Sequence, residues 1–417
     1  MRIAVVGTGI AGLVAARRLH REHELDVFEA AAWIGGHTHT LDVPRGDGTS
    51  VAVDTGFIVF NRATYPRFCA LLAELGIDAQ PSDMSFSVSC AASGLEYEAS
   101  GWNGLLARRT NALRPAFWRM LRDIARFYRE APRTLEGPDD GATLGEFLER
   151  GRYSRAFVEQ HLFPMVAAVW SARPEVLRDF PLRFLVRFFE NHGFLRLAGR
   201  PQWLAVPGGS ARYVERLVAP FRARIRLETP VVRLARVAGG VQLRTLQGEE
   251  HLYERVIVAT HSDQALRMLA DATPREREVL GAFAYQPNDV VLHTDAHLMP
   301  RRRRAWASWN VHRARVPGAL PTVTYWMNRL QSLREPRDYL VTLNRTAQID
   351  PARILARFTY HHPVYSRAAV AAQARHAEID GVHGVHFCGA YWGNGFHEDG
   401  VRSAEAVLAR FPSEVPA

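Results

Sequence analysis

RIAVVGTGIAGLVAARRLHREHELDVFEA, residues 2–30, decides how the rest of the chain is read. Arg2 to Val6 is a short apolar strand, Gly7, Gly9 and Gly12 follow in the order G-x-G-x-x-G, and Leu13 to Glu22 continues as a helix. A second strand, Leu25 to Phe28, ends on Glu29. In a β-turn-α-β unit that binds a dinucleotide, the first glycine allows the tight turn, the second lets the backbone approach the pyrophosphate, and the third lets helix pack on strand. The helix start presents unpaired N–H groups and the positive end of its dipole to the phosphates. Glu29 stands where an acid takes the hydroxyls of the adenosine ribose and repels a 2′-phosphate. Glycine-rich turns are common; the flanking strand, helix and acid make this one specific.

The motif does not by itself separate NAD from FAD, and composition narrows the field only partly. At 417 residues the chain has room for two domains, and its 47% hydrophobic content is that of a globular protein. Cys69, Cys90 and Cys388 are odd in number and lack C-x-x-C spacing, so a reducing compartment and no disulfide framework are expected. The first strand begins at Arg2 and no apolar run is long enough to span a bilayer. The expectation is a cytoplasmic protein, with peripheral contact at the inner face of the membrane as its one membrane role. The formal charge is +9, yet the chain contains no lysine, so all 52 basic residues are arginine. Schiff-base, P-loop and catalytic lysines are thereby excluded. No basic stripe or reader module marks a nucleic-acid partner. Seventeen histidines include the pairs His37/His39, His361/His362 and His383/His386, but no HExxH or cysteine-paired spacing, so no metal site is expected.

After Glu29 come the pair Gly35-Gly36 and a strand pair ending in Asp54 and Gly56. Thr64 to Gly76 has helical spacing, and Asp83 to Glu98 alternates like a strand pair turning at Ser93-Gly94. Ala116 to Glu130 carries Phe117, Leu121, Ile124 and Tyr128 on one stripe and Arg119, Arg122, Arg126 and Arg129 on another. This is a surface helix packed on the core, with an interfacial membrane helix as its alternative. Asp179 to Leu197 mixes arginine with Phe184, Phe188, Phe189 and Phe194, which suits a greasy substrate tunnel or a bilayer contact, and His161 to Ser171 is a segment expected to line the substrate cavity. Ser210 is placed to N-cap a helix from Ala211 to Pro220. Tyr253 to Ala259 is a strand covered on both faces, Asp289 to His293, Pro321 to Met327 and Tyr339 to Leu343 are further strands, and Val385 to Gly389 precedes a helix from Val401 to Arg410.

Glu29, Gly35-Gly36 and Asp54-x-Gly56 together resemble the opening of the flavin-containing amine oxidase and phytoene-desaturase superfamily, whose members bind FAD. His37 stands where that superfamily usually has arginine or lysine, and Ala31 replaces a common arginine. P-G-G at Pro207 to Gly209 and T-P-V-V at Thr229 to Val232 resemble its adenine-contacting region, with Val232 as the backbone contact. Val256 to Thr260 resembles the return strand, and GNGFHEDG, ending at Gly400, resembles the carboxy-terminal flavin motif. The resemblance implies an α/β fold with a Rossmann-like FAD-binding domain assembled from residues 1–62, 203–262 and 383–417. A mixed sheet-plus-helix, α+β substrate domain would come from 63–202 and 263–382. The cofactor set it implies is Gly7, Gly9, Ile10, Ala11, Gly12, Glu29, Ala30, Gly35, Gly36, His37, Thr38, Gly56, Val232, Ala259, Gly389, Gly395, Phe396, Glu398, Asp399, Gly400 and Val401, with Gly400-Val401 giving backbone N–H groups to the flavin.

Within the superfamily, GGHTHT at Gly35 to Thr40 and CGAYWGNGFHEDG at Cys388 to Gly400 resemble the FAD-binding oxidoreductases associated with cyclopropane-fatty-acid synthase-like enzymes. Amine oxidases of the superfamily usually carry a lysine near flavin N5 and an aromatic cage. The lysine is absent, and Phe396 takes one cage position, with Tyr391 or Trp392 as its prospective partner. The expectation is hydride removal from a lipid-like substrate, dehydrogenating an unsaturated or methylated fatty acyl chain, with His397, Glu398 and His161 as candidate acid–base groups. The alternatives are an amine or amino-acid oxidase and a non-catalytic flavin-binding scaffold or sensor. The sequence does not name the electron acceptor.

Overall fold

Five short parallel strands run in the order Ile225–Arg226, Glu24–Phe28, Arg2–Val6, Arg255–Val258 and Val385–Phe387. The computed structural model describes residues 1–171, 173–313 and 322–411. Side chains alternate across a strand, so Arg2–Val6 feeds two cores. Ile3 and Val5 pack with the helices Ile10–Leu19, Pro66–Glu74, Ala211–Val218 and His397–Leu408. Ala4 and Val6 pack on the opposite face, with the antiparallel sheet Val231–Val237, Gly240–Thr245, Glu250–Tyr253 and the helices Ser262–Met268 and Pro274–Gly281.

A second, seven-stranded sheet runs Ile354–Val364, Ala284–His293, Leu340–Leu343, Thr322–Trp326, Trp309–Arg313, Phe86–Cys90, Leu95–Glu98. Its pairs are antiparallel except Trp309–Arg313 with Phe86–Cys90. Helices Pro115–Glu130, Phe163–Trp170 and Leu182–Asn191 pack beside it around a core that includes Phe117, Met120, Phe127, Phe157 and Phe189. The amphipathic helix therefore turns Phe117 and Ile124 inward, as a surface helix does. Where the chain passes between the two sheets, Trp203–Ala205 pairs with both Val59–Asn61 and Gln80–Pro81. The architecture is mixed α/β.

Two local expectations change. Ser210 does not cap its helix with its side chain: its N–H and hydroxyl both donate to Asp54 Oδ1, at 2.9 and 2.8 Å. The carboxy-terminal helix begins at His397, not Val401, because Asp399 reaches back to accept the N–H groups of Phe396 (3.1 Å) and Asn394 (2.9 Å). The expected strand Pro321 to Met327 is present as Thr322–Trp326, and Pro321 lies outside the described residues. Among the described residues no helix is long and apolar enough to cross a membrane.

Candidate active site

The glycines of the first turn are steric necessities. A Cβ on Gly12 would fall 2.0 Å from Gly7 O, and Gly7 itself has φ +102°. Gly9 is different: a Cβ there would meet nothing within 4 Å, because the residue opens onto a cavity. Gly36, at φ +59°, leans on this turn, its Cβ position 3.1 Å from Gly9 Cα. The cavity, about 800 Å³, is lined by Gly7, Gly9, Ile10, Ala11, Glu29, Ala30, Gly35, Gly36, His37, Gly56, Val232, Ala259, Gly389, Gly395, Phe396 and His397. Residues from both ends of the chain thus share one wall.

Glu29 is fixed by the Thr8 N–H on one oxygen (2.9 Å) and the Ala31 N–H on the other (2.8 Å). Val232 falls where the register between Val231–Val237 and Gly240–Thr245 slips, so its backbone stands outside the ladder and beside the cavity. An open glycine at a helix start, an anchored acid and an unladdered backbone form a cradle that a dinucleotide fits.

Six expected cofactor contacts and two expected acid–base groups, Glu398 being both, lie off this wall. Gly12 serves packing of helix on turn. The N–H of Gly400 is bonded to Phe396 O at 3.1 Å, and its Cβ position would lie 2.6 Å from Ile10 Cγ2. Gly400 therefore lets the two helix starts touch, and with the helix starting at His397 it has no free N–H for a flavin. Val401 is buried in the core beside it. Glu398 turns toward the helix Pro66–Glu74, accepting the N–H groups of Arg67 (3.2 Å) and Phe68 (3.0 Å) and pairing with Arg67. Asp399 holds the Asn394–Phe396 loop and Arg402, and burial pushes its carboxyl up to about 6. Thr38 Oγ1 meets Tyr213 OH at 2.6 Å. His161 sits in the helical core, Nδ1 2.9 Å from Tyr97 OH, with burial pushing its pKa down to about 3.

His397 does reach the wall, but its Nε2 lies 2.9 Å from Tyr213 OH and 3.0 Å from Thr38 Oγ1, and its ring stacks on Phe57 at 3.5 Å. Burial drives its pKa to about 3, so the ring is a neutral bridge between the helix and the glycine-pair loop. For Glu398, Asp399, Gly400 and Val401 the cause is one: spacing identified the helix but not its start at His397, which sets the partners of its first turn.

Beyond the cradle the same cavity passes four histidines that periodicity did not assemble: His37, His261, His361 and His362. The ring of His37 is 5.8 Å from that of His261 and 5.9 Å from that of His362, and His261 is 6.5 Å from His361. Among the described residues, no group of three or more His, Cys, Asp or Glu is arranged to hold a metal ion. The far end is aromatic, with Trp170, Phe188, Phe194, Trp203 and Phe396. Phe396 stacks on Phe188 at 5.1 Å and faces His192 at 6.0 Å. Trp392 packs instead on Phe283 and His376, and Tyr391, though on the cavity wall, packs on Phe283. His192 was not anticipated: its Nδ1 is 2.9 Å from Phe188 O, which makes Nδ1 the donor and leaves Nε2 the basic atom. Burial pushes its pKa to about 4.

A parallel sheet with this turn, acid and cavity defines a dinucleotide-binding α/β protein. Residues 10–344 match the family model described as flavin containing amine oxidoreductase. The chain belongs to that family, and its cofactor is FAD. It is 29% identical to the carotenoid phi-ring synthase of Streptomyces griseus, covering 65% of this chain and 54% of that one. It is 26% identical to the flavin-containing amine oxidase B of Homo sapiens, covering 62% and 49%. The chain thus spans about half the length of the curated relatives it matches. The CLA-producing fatty acid isomerase of P. acnes has the same fold, with a TM-score of 0.70, 14% identity and 98% of each chain covered.

Proposed function

We propose that the chain is an FAD-dependent oxidoreductase that removes hydride from an apolar substrate, dehydrogenating an unsaturated or methyl-branched fatty acyl chain of a lipid. The supporting observation is the wall beyond the cradle. It is aromatic, and among the described lining residues the only carboxylate is Glu29, already engaged by Thr8 and Ala31. An ammonium group there would have no counter-charge, and an unpaired buried cation is costly. An acyl chain gains roughly 0.8 kcal/mol per buried methylene. One curated relative is named for a carotenoid, an apolar chain.

Gly7, Gly9, Ile10, Ala11, Glu29, Gly36 and Val232 hold the cofactor in this reading, with residues 1–62, 203–262 and 383–417 acting as the cofactor unit and 63–202 and 263–382 as the substrate unit. Residues 412–417 lie outside the described residues. When bound, FAD supplies a two-electron acceptor. The chain excludes water with its aromatic wall and places neutral His192 to accept the proton that leaves with the hydride. A membrane contact is assigned to Trp102, Leu113 and Trp118, which are 65%, 83% and 46% exposed and lie among exposed Arg109, Arg119 and Arg122. Co-sedimentation with anionic but not neutral vesicles tests it.

The deciding experiment mixes the flavin-loaded protein anaerobically with phospholipids bearing unsaturated or methyl-branched acyl chains. Bleaching of the flavin band with loss of a hydrogen pair from the acyl chain, seen by mass spectrometry, is expected. Bleaching by an amine panel alone would replace this reading with amine oxidation, and a flavin that no lipid, amine or nicotinamide donor reduces would replace it with a scaffold.

A further inference from the structure

We infer that His37, His261, His361 and His362 form an anion pocket, and that an anionic oxygen group entering the cavity brings protons with it. The inference rests on the reading that FAD occupies the cradle. The group is either the diphosphate of that dinucleotide or the acidic headgroup of the substrate.

Four imidazoles crowd one stretch of the wall, and His37 follows the glycine that leans on Gly9, beside the phosphate-facing turn. His37 Nε2 is buried without a hydrogen-bond partner, in a half-buried ring that lines the cavity and also meets the His361 backbone. Among the described lining residues Arg267 is the only guanidinium, and it is paired with Asp263 at 2.7 Å. A diphosphate therefore finds little permanent positive charge, and the protonatable groups are the histidines.

The neighbours on each packed element agree with that assignment. Tyr285 stacks on His261 at 4.4 Å, and Tyr360 lies 5.1 Å from His37 with its hydroxyl tied to His39 Nδ1 (3.0 Å) and Thr55 Oγ1 (2.9 Å). Ser171 Oγ meets His362 Nδ1 at 3.0 Å, and His397 faces the group from the carboxy-terminal helix, bonded to Tyr213 and Thr38. Asp54, behind Tyr360, is saturated by Thr40, Ser210 and Gln331, and Glu29 by Thr8 and Ala31. No described carboxylate on the wall is free to charge the rings in advance.

In the empty cavity burial first, and repulsion by neighbouring histidines second, push His37 down to about 4 and His261 and His362 to about 3. An anion among the rings opposes both effects, so it enters with protons. Linkage is reciprocal: the anion's Kd rises with pH, by roughly tenfold per pH unit for each proton taken up.

The test is calorimetric titration of the full chain freed of flavin, in two buffers of different ionisation enthalpy, with FAD and with riboflavin, which has no phosphate. A long-chain carboxylate is titrated into the FAD-loaded chain as a third arm. Uptake of at least one proton with FAD but not riboflavin supports the diphosphate as the anion; uptake only in the carboxylate arm supports the substrate headgroup. H261Q and H362N lower the proton number. If the flavin-free chain does not stay folded, the pH dependence of FAD release on dilution of the loaded chain carries the same information. Buffer-independent heats in all arms overturn the inference, as does FAD release unchanged by pH together with a carboxylate arm that takes up no proton. None of these readouts is turnover, so a failed lipid assay leaves this result standing.

Discussion

At the nucleotide end of the cavity the wall is largely backbone, made by Gly7, Gly9, Gly36 and the unladdered Val232; at the far end it is side chain, made by Trp170, Phe188, Phe194, Trp203 and Phe396. The first wall depends on residues with no side chain at all. The second comes from two helices, a loop, a short strand and the residue before the last helix, with no two of these aromatics adjacent in sequence. A backbone wall recognises what every dinucleotide shares and tolerates little change. A side-chain wall can be reshaped one residue at a time, so in the proposed reading substrate choice resides there.

The severest test of the contrast is G12V. With the Cβ position 2.0 Å from Gly7 O, the helix must leave the turn, and the purified protein is expected to carry no flavin, read from its visible absorbance. G9A is the control: its methyl meets no protein atom within 4 Å, so the melting temperature holds while FAD affinity falls.

Acidification is the next largest effect. His37, His161, His192, His261, His293, His312, His362 and His397 are all held at about 3 to 4, chiefly by burial, against about 6.5 when unfolded. Their folded values are depressed, so the unfolded chain binds more protons below pH 6.5 and stability falls as pH drops toward 4. Asp54 and Asp399, raised to about 6 by burial, act in the opposite sense between about 4 and 6 but are outnumbered. A loss on the order of several kcal/mol between pH 6.5 and 5 is expected in denaturant titrations of the flavin-free chain. A flat profile would contradict the neutral-histidine wall.

H192Q separates the two ends by function. Flavin content should be unchanged while the rate of flavin reduction falls by about 10²–10⁴. Equal losses of both would make the ends a single cooperative unit. The smallest effect belongs to E398A, which removes a carboxylate that caps the helix Pro66–Glu74 and costs about 1 kcal/mol with little change in reduction rate. A large rate loss would restore Glu398 to the acid–base chemistry.

The expected residues that line the cavity, such as Gly9, Glu29, Gly36 and Phe396, belong to short motifs whose geometry is set within a few positions. Those that lie off the cavity wall, Glu398, Asp399, Gly400, Val401 and His161, depend on where a helix starts or which face it turns inward. Asp399 illustrates the limit: it moved the helix start by bonding backwards to Asn394 and Phe396, a local choice that spacing does not encode. His261 and His362 looked unrelated because one precedes the helix Ser262–Met268 and the other lies on the strand Ile354–Val364, and each comes close to His37 only at the cavity.

By itself the sequence determined the dinucleotide turn, the acid that follows it and the exclusion of lysine chemistry, because strand, turn and helix are governed by contacts between near neighbours. Tertiary structure alone decided that the two glycine-rich ends meet at Ile10 and Gly400, that four histidines share a wall and that His192 sits among aromatics. Those contacts join residues hundreds of positions apart, and burial, which sets their protonation, exists only once the layers have closed.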